Sequence, residues 1–411
     1  MARLFPFCAL RPRPTDAARI AAVPYDVVST DEARALADDN PLSFLRVSRA
    51  EIELPAGTDP YCDAVYDRAA RNFERLKTTA LVVDDEPSVY FYRLRMGAHE
   101  QTGIAACYSL DEYDHDVIRK HERTRRDKED DRTRHMIALG AQTGPVFLTY
   151  RASADVDAIA ARARAAEPLF DFQAADGVQH TIWRVTGADR NGLVRAFSCI
   201  PTLYIADGHH RAASAARART HFAEHGSRTG PGDGADFNTM LAVAFPHNQV
   251  QILPYNRLVK DFGSSTPTAF LDGVRNRFDV TPGSARPARR GEISMYFDRR
   301  WQTLRPRTRP DRSDAIASLD VSVLQDQLLE PVLGIADVRT DKRIDFVGGA
   351  RGTSALEALV DSGKAAVAFS MFPVSVADLM AVADAGAIMP PKSTWFEPKL
   401  RDGLLIHMIE E

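Results

Sequence analysis

The segment LYIADGHHRAASAARART, residues 203–220, gathers many polar side chains at one corner of the chain. An apolar run typical of a strand ends at Asp207 and Gly208, and an alanine-rich run typical of a helix follows. A glycine at such a corner lets the backbone approach a ligand, and the N-terminus of the helix attracts anions. Arg211 has a fork of donors that suits a phosphate, and Asp207 offers a hard oxygen ligand to Mg²⁺. The candidate phosphate-binding residues are Gly208, His209, His210 and Arg211, and the candidate metal ligand is Asp207.

The same corner has a simpler interpretation that needs no ligand. Asp207 would cap the helix, and the two histidines would lie on the surface. For one such corner alone both interpretations stand. The direct succession of two histidines and an arginine after Asp-Gly favours the functional one.

A second cluster, RKHERTRRDKEDDR at residues 119–132, is almost entirely charged. Glu122 lies next to His121 among arginines, which favour an ionised carboxylate, so it is a candidate general base. Mixed charge of this kind more often forms a solvated helix face, and the spacing alone favours that simpler interpretation. The candidate catalytic residues are His121, Glu122 and Asp207.

A third cluster, MPPKSTWFEPKL at residues 389–400, contains three prolines and is therefore predicted to be stiff and non-helical. Its three consecutive donors suit a phosphate or a carboxylate, although they lack the GxxxxGK frame of a P-loop. A loop packed by Trp395 and Phe396 explains the same residues without a ligand. The candidate substrate-binding residues are Lys392, Ser393 and Thr394.

Composition narrows the class of partner. The 411 residues have a net charge of −4, whereas nucleic-acid-binding proteins usually show a basic excess, so we expect a small-molecule ligand. The four cysteines form no close pair, which argues against a CxxC metal site or a disulfide framework. No stretch reaches the about 20 apolar residues of a membrane span, and early arginines and prolines interrupt any signal-peptide core. We therefore expect a cytoplasmic protein.

The elements that must position the three clusters alternate between helix and strand patterns. Ser29 and Glu32 have capping-box spacing at the start of a helix, and VYFYRLRM with TGIAACYSL predicts a hairpin. ISMYFDRRWQTLRP predicts another hairpin, which turns at Asp298 and Arg299. The Gly-rich segment EHGSRTGPGDGADFN, residues 224–238, is expected to be a mobile surface loop. The alternation predicts a mixed α/β (α+β) fold.

Changes in composition and in the pattern of helices and strands divide the chain into three sections. Residues 1–88 form an α-rich N-terminal section, residues 89–260 carry the first two clusters, and residues 261–411 form a C-terminal α/β part with the third. At about 100 to 200 residues per domain, two or three units are expected for this length.

Taken in order, the clusters resemble a known family. YIADGHHRAASAA, KHERT and MPPKSTWFEPKLRDGL, with PYDVVSTDEA near the start, are similar to the bacterial DUF1015 family over nearly the whole chain. That family is in turn similar to the free serine kinases, which have a ParB/sulfiredoxin-like fold. The resemblance implies an elaborated ParB/sulfiredoxin-like catalytic core over residues 89–260, with an added N-terminal section and a C-terminal α/β part. In the kinases the His-Glu and Asp-Gly-His-His-Arg elements lie closer in sequence than they do here.

The resemblance also implies an activity. A phosphoryl group would pass from ATP or ADP, with Mg²⁺, to the hydroxyl of free L-serine or a similar hydroxy amino acid. Glu122 would be the catalytic base beside His121, Asp207 would hold the metal, and the residues from Gly208 to Arg211 would meet the phosphates. Lys392, Ser393 and Thr394 would orient the substrate. A ParB-like nucleotide-binding regulatory protein without metabolic turnover is the alternative, and a homodimer stays open.

Overall fold

The computed structural model describes residues 1–224, 236–311 and 313–409. The chain folds into two compact units, of which the first comprises Met1–Val250 with Pro398–Glu411 and the second comprises Gln251–Glu397. The expected mobile loop at residues 224–238 falls largely outside the described residues. The three sections expected from the composition and pattern of the sequence stay a prediction.

Strands are short and numerous. In chain order they are β1 Leu4–Phe5, β2 Leu10–Pro12, β3 Leu81–Val83, β4 Val89–Met96, β5 His99–Ser109, β6 Ile118–Arg119, β7 Ala141–Gln142, β8 Val146–Tyr150, β9 Phe170–Gln173, β10 Gln179–Val185, β11 Leu203–Asp207, β12 Thr239–Pro246, β13 Ile252–Leu253, β14 Tyr255–Val259, β15 Phe278–Pro282, β16 Ile293–Phe297, β17 Arg300–Pro306, β18 Ile344–Gly348, β19 Val367–Met371, β20 Trp395–Phe396 and β21 His407–Met408.

Helices separate many of these strands. In chain order they are α1 Ala17–Ile20, α2 Thr30–Ala37, α3 Leu45–Ser48, α4 Asp63–Thr79, α5 Leu110–Asp114, α6 Arg126–Leu139, α7 Ala154–Ala163, α8 Gly187–Phe197, α9 His209–Glu224, α10 Pro267–Arg277, α11 Asp320–Leu324, α12 Glu330–Leu333, α13 Ser354–Asp361 and α14 Val376–Asp384. Among the described residues, no helix is both long and apolar enough to cross a bilayer.

The first unit is built on a nine-stranded mixed sheet. Its strands follow the order β6-β11-β8-β12-β5-β4-β10-β9, and β1 pairs with β5 beside this path. Strand β8 runs parallel to β12 and antiparallel to β11, whereas β5, β4 and β10 are successive antiparallel neighbours. Helices accompany the sheet throughout, so the mixed α/β class predicted from the sequence is confirmed.

The centre of this sheet is apolar and carries the corner described above. Every residue of β8 and β12 is buried, which fits their nearly continuous apolar sequences. Helix α9 follows β11 and buries Ala212, Ala215 and Ala218 in the core of the first unit. Their small side chains allow the helix axis to approach the sheet closely. Strand β11 and helix α9 therefore hold Asp207 and the residues after it on a rigid base.

The second unit contains a six-stranded antiparallel sheet with the order β15-β17-β16-β19-β14-β18. The predicted hairpin is confirmed as β16 and β17, and Asp298 and Arg299 turn it with φ of 49° and 57°. In the first unit the predicted capping box is also confirmed, because the side chains of Ser29 and Glu32 each accept a backbone N–H of the other residue.

Candidate active site

The strand-to-helix corner in the first unit forms as the sequence predicts. Strand β11 ends at Asp207, Gly208 turns the chain, and α9 begins at His209. Gly208 has φ of 92°, a left-handed conformation that side chains disfavour. A Cβ there would also lie 3.4 Å from the Cα of Val146 and from the guanidinium of Arg211. The left-handed backbone conformation of the turn therefore favours glycine at this position.

Asp207 is fully engaged in this structure. Its Oδ2 accepts a hydrogen bond from Lys399 Nζ at 2.7 Å, and its Oδ1 accepts one from the Gly208 N–H at 2.7 Å. Burial alone would raise the pKa of Asp207, but the charges of Lys399 and Arg211 and these hydrogen bonds hold it well below its usual range. The carboxylate is thus ionised and already neutralised by a lysine.

The two histidines of the corner hold the second cluster in place. His209 Nε2 accepts the backbone N–H of His121 at 3.4 Å, and His210 Nε2 accepts that of Arg125 at 3.0 Å. Burial lowers the pKa of both imidazoles, so each is neutral and carries its proton on Nδ1. Segment 121–125 is therefore attached to the first turn of α9 by two hydrogen bonds.

Glu122 lies within this attached segment. The segment runs between β6 and α6 and is not helical, so the simple helix-face interpretation is wrong at Glu122. The Glu122 side chain is 46% exposed, and its Oε2 lies 3.7 Å from His209 Nδ1. That distance exceeds a hydrogen bond, but the protonated Nδ1 faces the carboxylate. The carboxylate is thus held near the start of α9 and remains accessible to a substrate.

His121 is an internal residue. Its side chain is 2% exposed and packs edge-on against the His209 ring at a centroid distance of 4.5 Å. Burial lowers the pKa of His121 to about 4, although the Ile205 carbonyl and Asp207 oppose that shift. Apart from this carbonyl, neither ring nitrogen has a hydrogen-bond partner among the described residues. A neutral, enclosed imidazole is suited to supporting the corner, and its catalytic role stays a prediction.

Arg211 extends into the interior of the first unit. Its Nη1 donates to the carbonyl of Pro145, and its Nη2 lies 3.9 Å from Asp26 Oδ1. Burial opposes its charge, but Asp26, Asp207 and Asp402 together raise the pKa of Arg211. Arg211 is therefore a fixed interior cation, and its contact with a phosphate stays a prediction.

The described residues do not form a ready-made metal site. No group of three or more His, Cys, Asp or Glu side chains among them is placed to hold an ion. Both oxygens of Asp207 are occupied, one of them by a lysine. Mg²⁺ in phosphoryl-transfer sites commonly takes one or two carboxylates, with phosphate oxygens and waters completing its shell. As a single carboxylate Asp207 has the chemistry of such a ligand, and its role as a metal ligand stays a prediction.

Residues 389–397 of the third cluster lie in the second unit. Lys392 has φ of 58°, and its Nζ lies 5.6 Å from the centre of the Tyr255 ring. Ser393 Oγ donates to the Pro390 carbonyl at 2.6 Å. Trp395 packs directly over Gly348, where a Cβ would lie 2.9 Å from the indole. The loop is thus packed by Trp395, as the simpler interpretation expects, while the substrate role of Lys392, Ser393 and Thr394 stays a prediction.

A comparison with protein families identifies the chain. The model described as "Protein of unknown function (DUF1015)" matches residues 4–322. The chain belongs to the DUF1015 family. The resemblance noted from the three clusters is thereby confirmed, and no curated protein matches the chain.

Solved structures similar to this DUF1015 chain are distant. One is a "Free serine kinase in complex with AMP", at 12% identity and a TM-score of 0.37, covering 72% of this chain and 91% of that one. Another is a "Conserved hypothetical protein from Pyrococcus furiosus", at 13% identity and a TM-score of 0.35, covering 73% and 94%. A third is "SbnI with C-terminal truncation from Staphylococcus aureus", at 11% and 0.36, covering 72% and 85%. At these scores the similarity assigns no function to this chain.

Sequence reasoning missed three charged residues of the site. Lys399 pairs with Asp207, Asp26 faces Arg211, and Asp402 contributes to the charge around Arg211. All three fall inside segments that carry the family resemblance, namely PYDVVSTDEA and MPPKSTWFEPKLRDGL. The available signal was a charged residue within those segments.

Proposed function

We propose that this chain is a small-molecule kinase that transfers a phosphoryl group from ATP or ADP to the hydroxyl of free L-serine or a similar hydroxy amino acid. The observation that carries the proposal is the attachment of the Glu122 segment to the start of α9 by His209 and His210. This attachment holds an accessible carboxylate close to a helix N-terminus, which is a site that binds anions. Phosphoryl transfer requires a base and a phosphate-binding site close together.

Glu122 takes the role of general base. Its exposed carboxylate accepts the proton of the acceptor hydroxyl as that oxygen attacks the terminal phosphorus. The P–O bond between that phosphorus and the rest of the nucleotide breaks, and ADP leaves if the donor is ATP or AMP if it is ADP. The segment is held by two backbone hydrogen bonds, so the carboxylate does not have to be ordered at the moment of reaction. His121 and His209 pack against each other and support this position from within the core.

The corner receives the phosphates. The first N–H groups of α9 lack intrahelical acceptors, and Gly208 leaves its backbone open to close approach. A bound Mg²⁺ would neutralise phosphate charge beside Asp207. In this structure Lys399 neutralises Asp207. When a nucleotide binds, the Lys399 ammonium pairs with the phosphate oxygens instead. Arg211 stabilises the corner from inside, and Lys392, Ser393 and Thr394 orient the substrate.

The test is phosphorus NMR of the full chain with Mg²⁺, L-serine and either ATP or ADP. We expect a phosphomonoester signal, and we expect Glu122→Gln to lower turnover by about 100-fold or more while the fold is retained. Glu86→Gln is the matched control, because Glu86 is 49% exposed and pairs with Arg190 instead of the corner. Full activity in Glu122→Gln would remove its assignment as the base.

Nucleotide binding without any phosphoester from serine, threonine or homoserine would contradict the proposal. That result would support the ParB-like regulatory alternative. A salt-dependent shift in the gel mobility of DNA would then identify nucleic acid as a partner. A homodimer and a cytoplasmic location stay predictions.

A further inference from the structure

The first unit contains a partly open cavity, lined in part by Arg211 of the corner, that none of the roles above uses. Its volume is about 40 Å³, and Arg211 reaches into it from the first turn of α9. A buried water needs about 10 to 15 Å³ of such space, so the cavity has room for about three water-sized groups. Part of its wall is formed by polar side chains, among them Ser48, Arg132 and Asp402.

Three residues that line the cavity each carry a buried polar atom with no hydrogen-bond partner among the described residues. These atoms are Ser48 Oγ, Arg211 Nε and Asp402 Oδ1. Their residues are 3%, 9% and 4% exposed, so bulk water does not satisfy them. Buried polar atoms are nearly always hydrogen-bonded, and three unsatisfied ones around a single cavity indicate an occupant.

Three other polar side chains of the wall are already engaged. The guanidinium of Arg132 bonds to Asp131 and lies 4.1 Å from the centre of the Tyr25 ring. His135 Nε2 bonds to the Val47 carbonyl at 3.0 Å. The Gln142 amide bonds to backbone groups of Thr239 and Leu241. The three unpartnered atoms are thus left available for a ligand.

The chemistry of the three atoms is specific. Asp402 supplies a carboxylate oxygen, Arg211 supplies a cationic donor, and Ser48 supplies a hydroxyl that can donate or accept. Gly144 keeps this carboxylate close to the backbone, because a Cβ at Gly144 would lie 2.6 Å from Asp402 Oδ1. Adjacent positive and negative partners of this kind match a zwitterion better than a simple anion or cation.

We propose that this cavity binds the head group of a free α-amino acid, with Asp402 Oδ1 accepting from the α-ammonium and Arg211 Nε donating to the α-carboxylate. Ser48 Oγ completes the hydrogen bonds of the head group. The inference rests on the proposed function in that it assigns the acceptor's head group to this place. Arg211 lies two residues after His209, whose Nδ1 is 3.7 Å from Glu122 Oε2.

The state of Asp402 agrees with this assignment. Burial raises the pKa of Asp402 to about 7, although Arg211 lowers it and Asp26 raises it further. At neutral pH the Asp402 carboxyl is therefore protonated in about half of the molecules. An ammonium group beside Oδ1 would compensate the ionised form, which is the form that binds it.

The test is isothermal titration of the full chain with L-serine, with and without ADP, in wild type and two variants. We expect Asp402→Asn to weaken serine binding by about 30-fold or more, because it removes the charged partner of the ammonium. Asp84→Asn is the matched control: Asp84 is also 4% exposed, but its carboxylate bonds to Arg11 and Tyr90. It should destabilise the fold and leave serine affinity unchanged, whereas Asp402→Asn should not lower the melting temperature.

Serine derivatives with a blocked amino or carboxyl group test each contact of the head group separately. N-acetyl-L-serine lacks the ammonium and L-serine methyl ester lacks the carboxylate, so neither should bind as L-serine does. The inference would be overturned if serine bound wild type and Asp402→Asn with equal affinity. It would also be overturned if the blocked ligands bound wild type with the same affinity as L-serine. Absence of serine binding to wild type in both conditions would also overturn it and leave cavity water as the occupant.

The two proposals fail separately. Serine binding that depends on Asp402 without any phosphoester would remove the kinase proposal and keep the amino-acid cavity. Phosphoserine formed by Asp402→Asn with an unchanged KM for serine would remove the cavity assignment and keep the kinase.

Discussion

Replacing Lys399 by methionine tests how strongly the corner depends on its pairing with Asp207. The two side chains are 15% and 28% exposed, and Nζ lies 2.7 Å from Oδ2. Exposed pairs contribute about 0 to 1 kcal/mol, whereas breaking a fully buried pair costs about 3 to 5 kcal/mol. With Arg211 and the Gly208 N–H still supporting the carboxylate, we expect a coupling free energy of about 2 kcal/mol.

A double-mutant cycle of Lys399→Met and Asp207→Asn measures this coupling. Hydrogen exchange of peptides from β8, β11 and β12 at increasing urea reports the free energy of unfolding of the first unit alone. The control cycle uses Arg162 and Asp189, whose ion pair has nearly the same length, 2.8 Å, but whose side chains are 58% and 42% exposed. We expect at most about 0.5 kcal/mol there.

The same pair predicts a pH dependence. Because the folded state holds the pKa of Asp207 below its unfolded value, the pair's contribution is complete above about pH 4 and is lost as the pH falls further. Lys399→Met should weaken this loss of stability in acid. A coupling free energy no larger than that of the Arg162 pair would refute the reasoning that burial strengthens the Lys399 pair.

Two further predictions concern the attached segment and the cavity. His210→Ala removes the acceptor of the Arg125 N–H, so exchange in segment 121–125 should accelerate and kcat should fall by about 10-fold or more; unchanged exchange would show that His210 does not hold the segment. Asp402 has a raised pKa of about 7, so its contribution to stability is complete below about pH 4 and is lost as the pH rises to 7. Asp402→Asn should therefore exceed wild type in stability above pH 7, by up to about 4 kcal/mol in urea denaturation, and a less stable variant would contradict this.

Local structure was predictable because it is encoded within a few residues. The capping box at Ser29 and the hairpin at Asp298 each depend on a short spacing, and both form as expected. The order of the large sheet was not predictable. Strand β12 pairs with β8 on one side and β5 on the other, and β1 joins β5, all across long separations. Such pairings depend on matching buried faces, for which a single sequence offers no spacing rule.

The candidate site shows the same division. The corner at Asp207 follows from a strand, a glycine and a helix that are adjacent in sequence, so its geometry was foreseen. The partners of its charges were not, since Lys399 lies 192 residues from Asp207. Charge spacing alone also predicted a helix face at Glu122. It could not include the hydrogen bonds that the backbone N–H groups of His121 and Arg125 donate to histidines 88 and 85 residues further along the chain.

The two adjacent histidines now have a common explanation. Successive residues on a helix point about 100° apart, so neighbours cannot serve the same partner. His209 turns into the core and bonds to the start of segment 121–125, whereas His210 lies nearer the surface and bonds to its end. Two neighbouring side chains on a rigid turn thereby fix two separate points of a segment that has no secondary structure of its own. A single histidine would leave the segment free to pivot, and with it the carboxylate of Glu122.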